Sequence, residues 1–146
     1  MDTPLVIERT FNAPVERVWK AITDLDQMKQ WYFPQLETFR PQVGFETEFN
    51  VHHEGKDYYH VWKIKEVVPL KKISLEWKYR DYPGNSIVNF ELFAQGNKTR
   101  LVLTHEGLES FKPEKYPELA KKNFMEGWTQ FMDEELKKFL DEKNGG

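Results

Sequence analysis

Residues 116–143 read YPELAKKNFMEGWTQFMDEELKKFLDEK. The large apolar residues in this stretch recur at three- and four-residue steps, the period of an α-helix with one broad apolar face; they are Leu119, Phe124, Met125, Trp128, Phe131, Met132, Leu136, Phe139 and Leu140. The opposite face carries acids four positions before lysines, as at Glu118 and Lys122 or Asp133 and Lys137, a spacing that favours ion pairs within one helix. At about 1.5 Å per residue the helix would be roughly 40 Å long, so it needs a sheet to cover its apolar face.

Composition indicates one domain with an aromatic core. A chain of 146 residues can bury about 70% of the surface that it exposes when unfolded. We expect a single domain over residues 1–143 and a flexible tail at residues 144–146. Phe, Tyr and Trp make up 15% of the chain, so large rings are expected to dominate the core.

Charge and cysteine content exclude several classes of function. The net charge of −3 comes from interspersed charges of both signs without a basic patch, which argues against nucleic acid as a partner. The absence of cysteine excludes a disulfide framework and a thiolate zinc site. No apolar run reaches the ~18 residues of a membrane span and no signal peptide is visible, so we expect a cytoplasmic protein without integral membrane association.

The N-terminal part of the chain predicts one strand and two short helices. Residues 5–11 alternate with a period of two, which is typical of a strand. Pro14 suits the first turn of a helix, and apolar residues follow it at helical spacing up to Ile22. Thr23 with Asp26 predicts the start of a second helix, which Pro34 should end.

From residue 36 onward the period changes to two. Apolar and polar residues alternate over residues 45–51, 60–64, 73–79, 88–92 and 101–105, and turn residues separate these runs. Consecutive strands joined by tight turns form an antiparallel meander. The chain therefore predicts an α+β fold in which a curved antiparallel sheet of six or seven strands wraps around the C-terminal helix, with the two short helices after the first strand.

A pocket is expected wherever the sheet and the long helix do not fully meet. Alternation and helical spacing predict its lining as a set of ligand-binding candidates: Phe49, His60, Trp62, Trp77, Tyr79, Phe90 and His105 on the sheet, and Met125, Trp128 and Met132 on the helix. For any single ring the alternative is plain core, and for each histidine it is a buried side chain hydrogen-bonded to a neighbour. Gly127 costs about 1 kcal/mol in a helix, so it should allow either close packing or space for a ligand.

Few residues support catalysis or metal binding. No serine lies in a nucleophile motif and no glycine-rich phosphate loop is present, so we assign no catalytic residue and no cofactor. His52 and His53 point to opposite faces of one strand, and the other two histidines lie on separate strands, so we expect no metal. Arg9, a charge in a half-buried strand, should pair with an acid such as Glu106 or lie at the rim.

Several short motifs follow this element order: RTFNAP at residues 9–14, VWKA at 18–21, TD at 23–24, Trp31, VVP at 67–69, TRLVLTHEG at 99–107 and GW at 127–128. In these motifs and in the order of its elements, nearly the whole chain resembles the helix-grip superfamily of START-like and Bet v 1-like (SRPBCC) domains. Within it, the chain resembles the family named for homology to the activator of Hsp90 ATPase. The resemblance implies a helix-grip fold with a hydrophobic cavity. Many relatives carry Gly-Gly or Gly-Asp where this chain has Val43-Gly44-Phe45, which predicts a narrower or reshaped pocket mouth.

Three functions are compatible with these observations. The first is non-catalytic binding of a small apolar or aromatic molecule between the sheet and the C-terminal helix. The second, implied by the resemblance alone, is a co-chaperone-like module whose partner is a chaperone. The third is an enzyme of cyclase or hydrolase type that uses His105, His60 or Tyr79 as an acid or base.

Overall fold

The computed structural model describes residues 3–144, and it has the predicted order of elements. The strands are β1 (Leu5–Phe11), β2 (Glu46–His53), β3 (Lys56–Val68), β4 (Lys72–Tyr79), β5 (Ser86–Gln95) and β6 (Lys98–Glu106). The helices are α1 (Val15–Thr23), α2 (Leu25–Trp31), α3 (Lys121–Gln130) and α4 (Lys137–Asn144), with a π-helical segment at Phe131–Leu136 and short 3₁₀ turns at Leu108–Phe111 and Pro117–Leu119. This arrangement confirms the α+β helix-grip prediction.

The six strands form one antiparallel sheet in the order β1-β6-β5-β4-β3-β2, so the first strand pairs with the last. The register places His60 opposite Tyr79, Trp62 opposite Trp77, and Val88 opposite His105. Because side chains alternate between the two faces of a strand, this register brings the large rings together on the inner face, as the sequence predicts.

The C-terminal helix consists of α3, the π-helical segment and α4. It begins at Lys121, five residues later than predicted, because Pro117 lies in a 3₁₀ turn and Ala120 is extended (φ −70°, ψ 151°). Residues 119, 124, 128, 132, 136 and 140 are buried or half-buried on the predicted face. Met125, in contrast, lies on the exposed side, which corrects its predicted place on the inner wall.

Two acids expected to pair within the C-terminal helix pair with the sheet instead, and Lys137 pairs with Asp141. Glu118 precedes the helix and binds Lys56, whereas Asp133 binds Arg9 with an Oδ1–Nε distance of 2.7 Å. Arg9 therefore pairs with the helix and not with Glu106. Both partners of this pair are about two-fifths exposed, at 40% and 42%, so the pair tethers the helix to β1 at the surface.

The two short helices cover one end of the sheet. Asp24, and not Thr23, caps α2: its carboxylate accepts a hydrogen bond from the Gln27 backbone N–H, whereas Thr23 belongs to α1. Helix α2 ends at Trp31, before the predicted stop at Pro34, and the Trp31 indole donates to the Ala21 carbonyl at 2.8 Å. The short helices are thereby fixed to each other over the core.

The C-terminal helix extends further than the sequence predicts. Helix α4 extends to Asn144, one residue into the predicted tail, and residues 145–146 lie outside the described part. Among residues 3–144, no helix combines the length and apolarity that crossing a membrane requires.

Candidate functional site

A cleft of about 580 Å³ opens between the sheet and the start of the C-terminal helix. The sheet contributes residues from the β2–β3 hairpin and from β4, the helix contributes residues from α3, and Phe33 follows α2. The lining residues are Phe33, His53, Glu54, Tyr58, Trp77, Tyr79, Glu118, Leu119, Asn123, Phe124, Glu126, Gly127, Trp128 and Phe131. Buried side chains form the core beside it, and a second cleft of about 600 Å³ lies between β1 and the C-terminal helix.

Four of these rings, Phe33, Trp77, Trp128 and Phe131, form what we call the aromatic wall. The centroid of Trp77 lies 5.5 Å from Trp128, and the centroid of Phe33 lies 5.2 Å from Phe131, both pairs being close to edge-to-face. Such pairs add about 0.5–1.5 kcal/mol each to the burial of the rings. The wall is therefore a fixed apolar surface that can pack against a flat ligand.

Gly127 keeps one side of the cleft open. It has a helical conformation, and the position that a Cβ would take there has no other heavy atom within 4 Å. Close packing of the helix on the sheet is therefore not the reason for this glycine. Of the two explanations that the sequence left open, space at the cleft is the one that fits this geometry.

The outer part of the cleft is acidic. Glu118 accepts hydrogen bonds from the Tyr82 hydroxyl and from Lys56 Nζ, both at 3.1 Å. A hydrogen bond from its own backbone, followed by the one from Lys56, holds the pKa of Glu118 below its usual range. Glu54 and Glu126 also line the cleft and are exposed, and the lining contains no lysine or arginine.

Tyr79 is the buried polar residue of the cleft. The Trp77 indole N–H donates to the Tyr79 hydroxyl oxygen at 3.0 Å, and Tyr79 is only 6% exposed. Burial raises the pKa of Tyr79 above its usual range, so the phenol is protonated at neutral pH and can donate a hydrogen bond. It is not a base under these conditions.

His105 lies behind the cleft in a chain of hydrogen bonds. The Trp128 indole, which can only donate, lies 3.1 Å from His105 Nδ1, so Nδ1 accepts and the proton is on Nε2. Nε2 lies 2.8 Å from Ser86 Oγ, and that hydroxyl donates to the Trp77 carbonyl. Burial lowers the pKa of His105 to about 3, so it is a neutral side chain that orients the Trp128 indole and is linked through Ser86 to the Trp77 backbone.

His60 is also held inside the core. Its Nδ1 lies 2.9 Å from the Tyr58 carbonyl, which makes Nδ1 the protonated nitrogen, and its ring stacks on Phe49 at 4.8 Å. Burial lowers the pKa of His60 to about 4. Neither His60 nor His105 lines the cleft, and both match the alternative of a hydrogen-bonded core histidine.

Three of the ten predicted ligand-binding residues line the cleft: Trp77, Tyr79 and Trp128. Six are buried in the core outside it, namely Phe49, His60, Trp62, Phe90, His105 and Met132, and Met125 is exposed. Val43 and Phe45 do not line the cleft either, so they do not narrow its mouth.

Several lining residues are not among the candidates predicted from the sequence. Phe33 follows the end of α2 and belongs to no periodic run, whereas Phe124 and Phe131 lie on the predicted apolar face of the helix. Glu118 was placed on the solvated helix face. Pro117 favours a helix start at this point, so the sequence carries no signal for the extended Ala120 that delays the helix to Lys121.

Within the described part of the chain, residues 3–144, no cluster of three or more histidine, cysteine, aspartate or glutamate side chains is placed to hold a metal ion. The cleft is lined by rings, carboxylates and one exposed histidine, His53. Its geometry supports packing and hydrogen bonding with an organic molecule.

Comparison with solved structures supports the same fold. The chain is similar to protein CV1439 from Chromobacterium violaceum, with 21% identity, a TM-score of 0.81, and coverage of 96% of this chain and 98% of that one. It is also similar to protein MLL2253 from Mesorhizobium loti, with 25% identity, a TM-score of 0.75 and the same coverage. A protein from Arthrobacter aurescens has 20% identity and a TM-score of 0.78, with coverage of 95% of this chain and 86% of that one.

No curated protein matches the chain. The family model described as "Activator of Hsp90 ATPase homolog 1-like protein" matches residues 12–141, which is nearly the whole described chain. The family match and the structural neighbours confirm the resemblance to START-like and Bet v 1-like domains. The chain belongs to the family of activator of Hsp90 ATPase homolog 1-like proteins.

Proposed function

We propose that this protein binds a small apolar or aromatic molecule in the cleft between the sheet and the C-terminal helix, without catalysing a reaction. The observation that carries the proposal is the cleft itself: about 580 Å³ in volume and bordered by the aromatic wall. Ligand pockets in proteins typically measure roughly 300–1,000 Å³ and combine apolar walls with a few polar groups.

The aromatic wall supports a ligand that contains flat rings. The aromatic wall offers faces and edges for offset or edge-to-face stacking. Gly127 leaves room beside it, although a glycine in a helix costs about 1 kcal/mol relative to alanine. Since the unfavourable glycine lies at the cleft, we interpret the open space beside it as room for a ligand.

The state of three titratable groups argues against His60, His105 or Tyr79 as a general base. His60 and His105 are neutral and buried away from the cleft, and the protonated Tyr79 can donate but cannot act as a base at neutral pH. A general base would have to reach a ligand within hydrogen-bonding distance and be poised near neutral pH.

Filling the cleft from the helix tests the proposal. In Gly127→Leu the new side chain would occupy the open space, and the helix should become more stable because leucine is a better helix former than glycine by about 1 kcal/mol. We expect naphthalene derivatives to raise the melting temperature of the wild type in a concentration-dependent way. Gly127→Leu should lose at least about tenfold in affinity.

The matched control is Gln130→Leu, which adds the same side chain at an exposed position of α3 outside the cleft. It should bind like the wild type. Equal binding by the wild type and Gly127→Leu would place the ligand elsewhere, and a wild type indifferent to all apolar probes would contradict the proposal.

A chaperone partner is the second candidate, and the family match over residues 12–141 is the observation that favours it. It predicts that the protein changes the ATPase rate of a chaperone of the Hsp90 type. An unchanged rate at saturating protein concentration would count against it. This assay does not depend on the cleft. Gly127→Leu changes only the cleft, so it should leave a chaperone-binding surface elsewhere on the protein intact.

A further inference from the structure

The hydroxyl of Tyr79 has a hydrogen-bonding capacity that the protein does not use. A phenol can donate one hydrogen bond and accept others, and Tyr79 accepts one from the Trp77 indole at 3.0 Å. Among residues 3–144, no hydrogen bond in which Tyr79 donates is present. Since Tyr79 is 6% exposed and lines the cleft, its proton is a buried donor at a site that a ligand can reach.

A second phenol lies directly behind the aromatic wall. Tyr32 is 5% exposed, and its hydroxyl has no hydrogen-bond partner among the described residues. Its ring centroid lies 4.5 Å from Phe33, 4.8 Å from Phe131 and 5.8 Å from Trp128, all of which belong to the wall.

The unpaired hydroxyl of Tyr32 is unfavourable in the protein alone. A buried polar group without a partner costs on the order of 1–3 kcal/mol. Burial raises the pKa of Tyr32, so this phenol is protonated at neutral pH, as Tyr79 is. Tyr32 does not line the cleft, so Tyr79 is the phenol whose donor a ligand in the cleft can reach.

The outer part of the cleft has the opposite character. Three carboxylates, Glu54, Glu118 and Glu126, line it, and Lys56 is paired with Glu118. A ligand with a carboxylate would enter against like charge, and the lining contains no lysine or arginine that could pair with it. The acceptor that suits the buried donor is therefore an uncharged one.

We propose that the ligand is an uncharged aromatic molecule with a carbonyl or comparable neutral oxygen, which accepts a hydrogen bond from the Tyr79 hydroxyl while its rings pack on the aromatic wall. This inference rests on the proposed function and names the ligand class for the same cleft. The Trp77 N–H fixes the Tyr79 oxygen and polarises it, which strengthens the donation. Tyr79 is the residue that determines specificity.

The test compares two probes of nearly equal shape by titration calorimetry. They are 2-acetylnaphthalene and 2-isopropenylnaphthalene, which differ in that a carbonyl oxygen is replaced by a methylene. The wild type should bind the ketone about fivefold to tenfold more tightly than the alkene, the range expected for one neutral hydrogen bond. Tyr79→Phe should bind the two probes equally, with the alkene affinity unchanged.

The control variant is Tyr59→Phe, which removes a hydroxyl from a tyrosine that stacks with Arg80 and does not line the cleft. It should keep the preference for the ketone. Binding of the alkene to Tyr79→Phe reports that the cleft is intact, so a misfolded variant cannot be mistaken for a specific loss.

The possible outcomes separate this inference from the proposed function. Equal binding of ketone and alkene by the wild type overturns the inference and leaves the proposed function standing. A preference that persists in Tyr79→Phe overturns the assignment to Tyr79. The anion 2-naphthoate should bind more weakly than the ketone, and equal or tighter binding would overturn the exclusion of anions. If neither naphthalene binds, the proposed function fails together with the inference.

Discussion

Acidification should unfold this protein through His105 and His60. Burial holds the pKa of His105 at about 3 and that of His60 at about 4, below the ordinary value of 6.5. In the unfolded chain both imidazoles take up a proton below pH 6.5, whereas the native protein leaves them neutral until much lower pH. Unfolding therefore binds protons, and the stability from both groups is fully present above pH 6.5 and is lost as the pH falls towards their native values.

The size of the effect follows from this proton uptake. Each proton taken up on unfolding changes the free energy of unfolding by about 1.4 kcal/mol per pH unit. Because the unfolded imidazoles are not fully protonated near pH 6, the two histidines together give a slope of about 2 kcal/mol per pH unit between roughly pH 5 and 6. Most carboxylates are ionised in that window. The slope does not depend on the exact native pKa values, provided that both lie below this pH window. For comparison, the total free energy of unfolding of a protein is about 5–15 kcal/mol.

His105→Gln isolates one of the two groups. A glutamine amide can accept from the Trp128 indole and donate to Ser86, but it cannot take up a proton. Urea denaturation at several pH values should show the slope falling to about 1 kcal/mol per pH unit in this variant.

The control for this experiment is His53→Gln, which removes an exposed histidine and should leave the slope unchanged. A wild-type slope near zero between roughly pH 5 and 6 would refute the argument that both imidazoles are neutral and buried. A His105→Gln slope equal to that of the wild type would refute the role of His105.

Three further substitutions test individual interactions by urea denaturation. Ser86→Ala should destabilise the protein by about 1–3 kcal/mol, because it leaves the Nε2–H of His105 buried without an acceptor; unchanged stability would contradict the hydrogen-bond chain. Tyr32→Phe should stabilise it by up to about 1 kcal/mol, since it removes an unpaired hydroxyl, and a loss of stability would mean that the hydroxyl is satisfied. Arg9→Gln should cost less than about 1 kcal/mol, because the pair with Asp133 is well exposed; a larger loss would show that the tether contributes more than a surface ion pair.

Element type could be predicted from the sequence wherever local periodicity is strong. The alternation in β4 predicted that Trp77 and Tyr79 face inward, and both are buried. Boundaries were less predictable where two signals competed. Thr23 and Asp24 are both good cap residues, and the choice between them depends on where α1 ends, which is a matter of packing against the sheet.

The candidate site was only partly predictable. The sheet and the C-terminal helix each have an apolar face, and the sequence does not show where the two faces are in contact and where a gap separates them. Phe90 and Trp77 have the same inward direction on neighbouring strands, yet Phe90 is core and Trp77 borders the cleft. Met125 follows Phe124 directly in the chain, and consecutive side chains of a helix point in different directions. Phe124 therefore faces the protein, whereas Met125 faces the solvent.

The strands, the helices and the direction of most side chains follow from the sequence alone, because periods of two and 3.6 residues are local properties of the chain. Which rings fill the core and which border open space depends on how distant elements pack together. The aromatic wall joins Phe33 to Phe131, two rings about a hundred residues apart in the chain, and their 5.2 Å separation depends on where the C-terminal helix crosses the sheet. The tautomer of His105 and the unused proton of Tyr79 depend on partners from other elements, so they too are properties of the folded molecule.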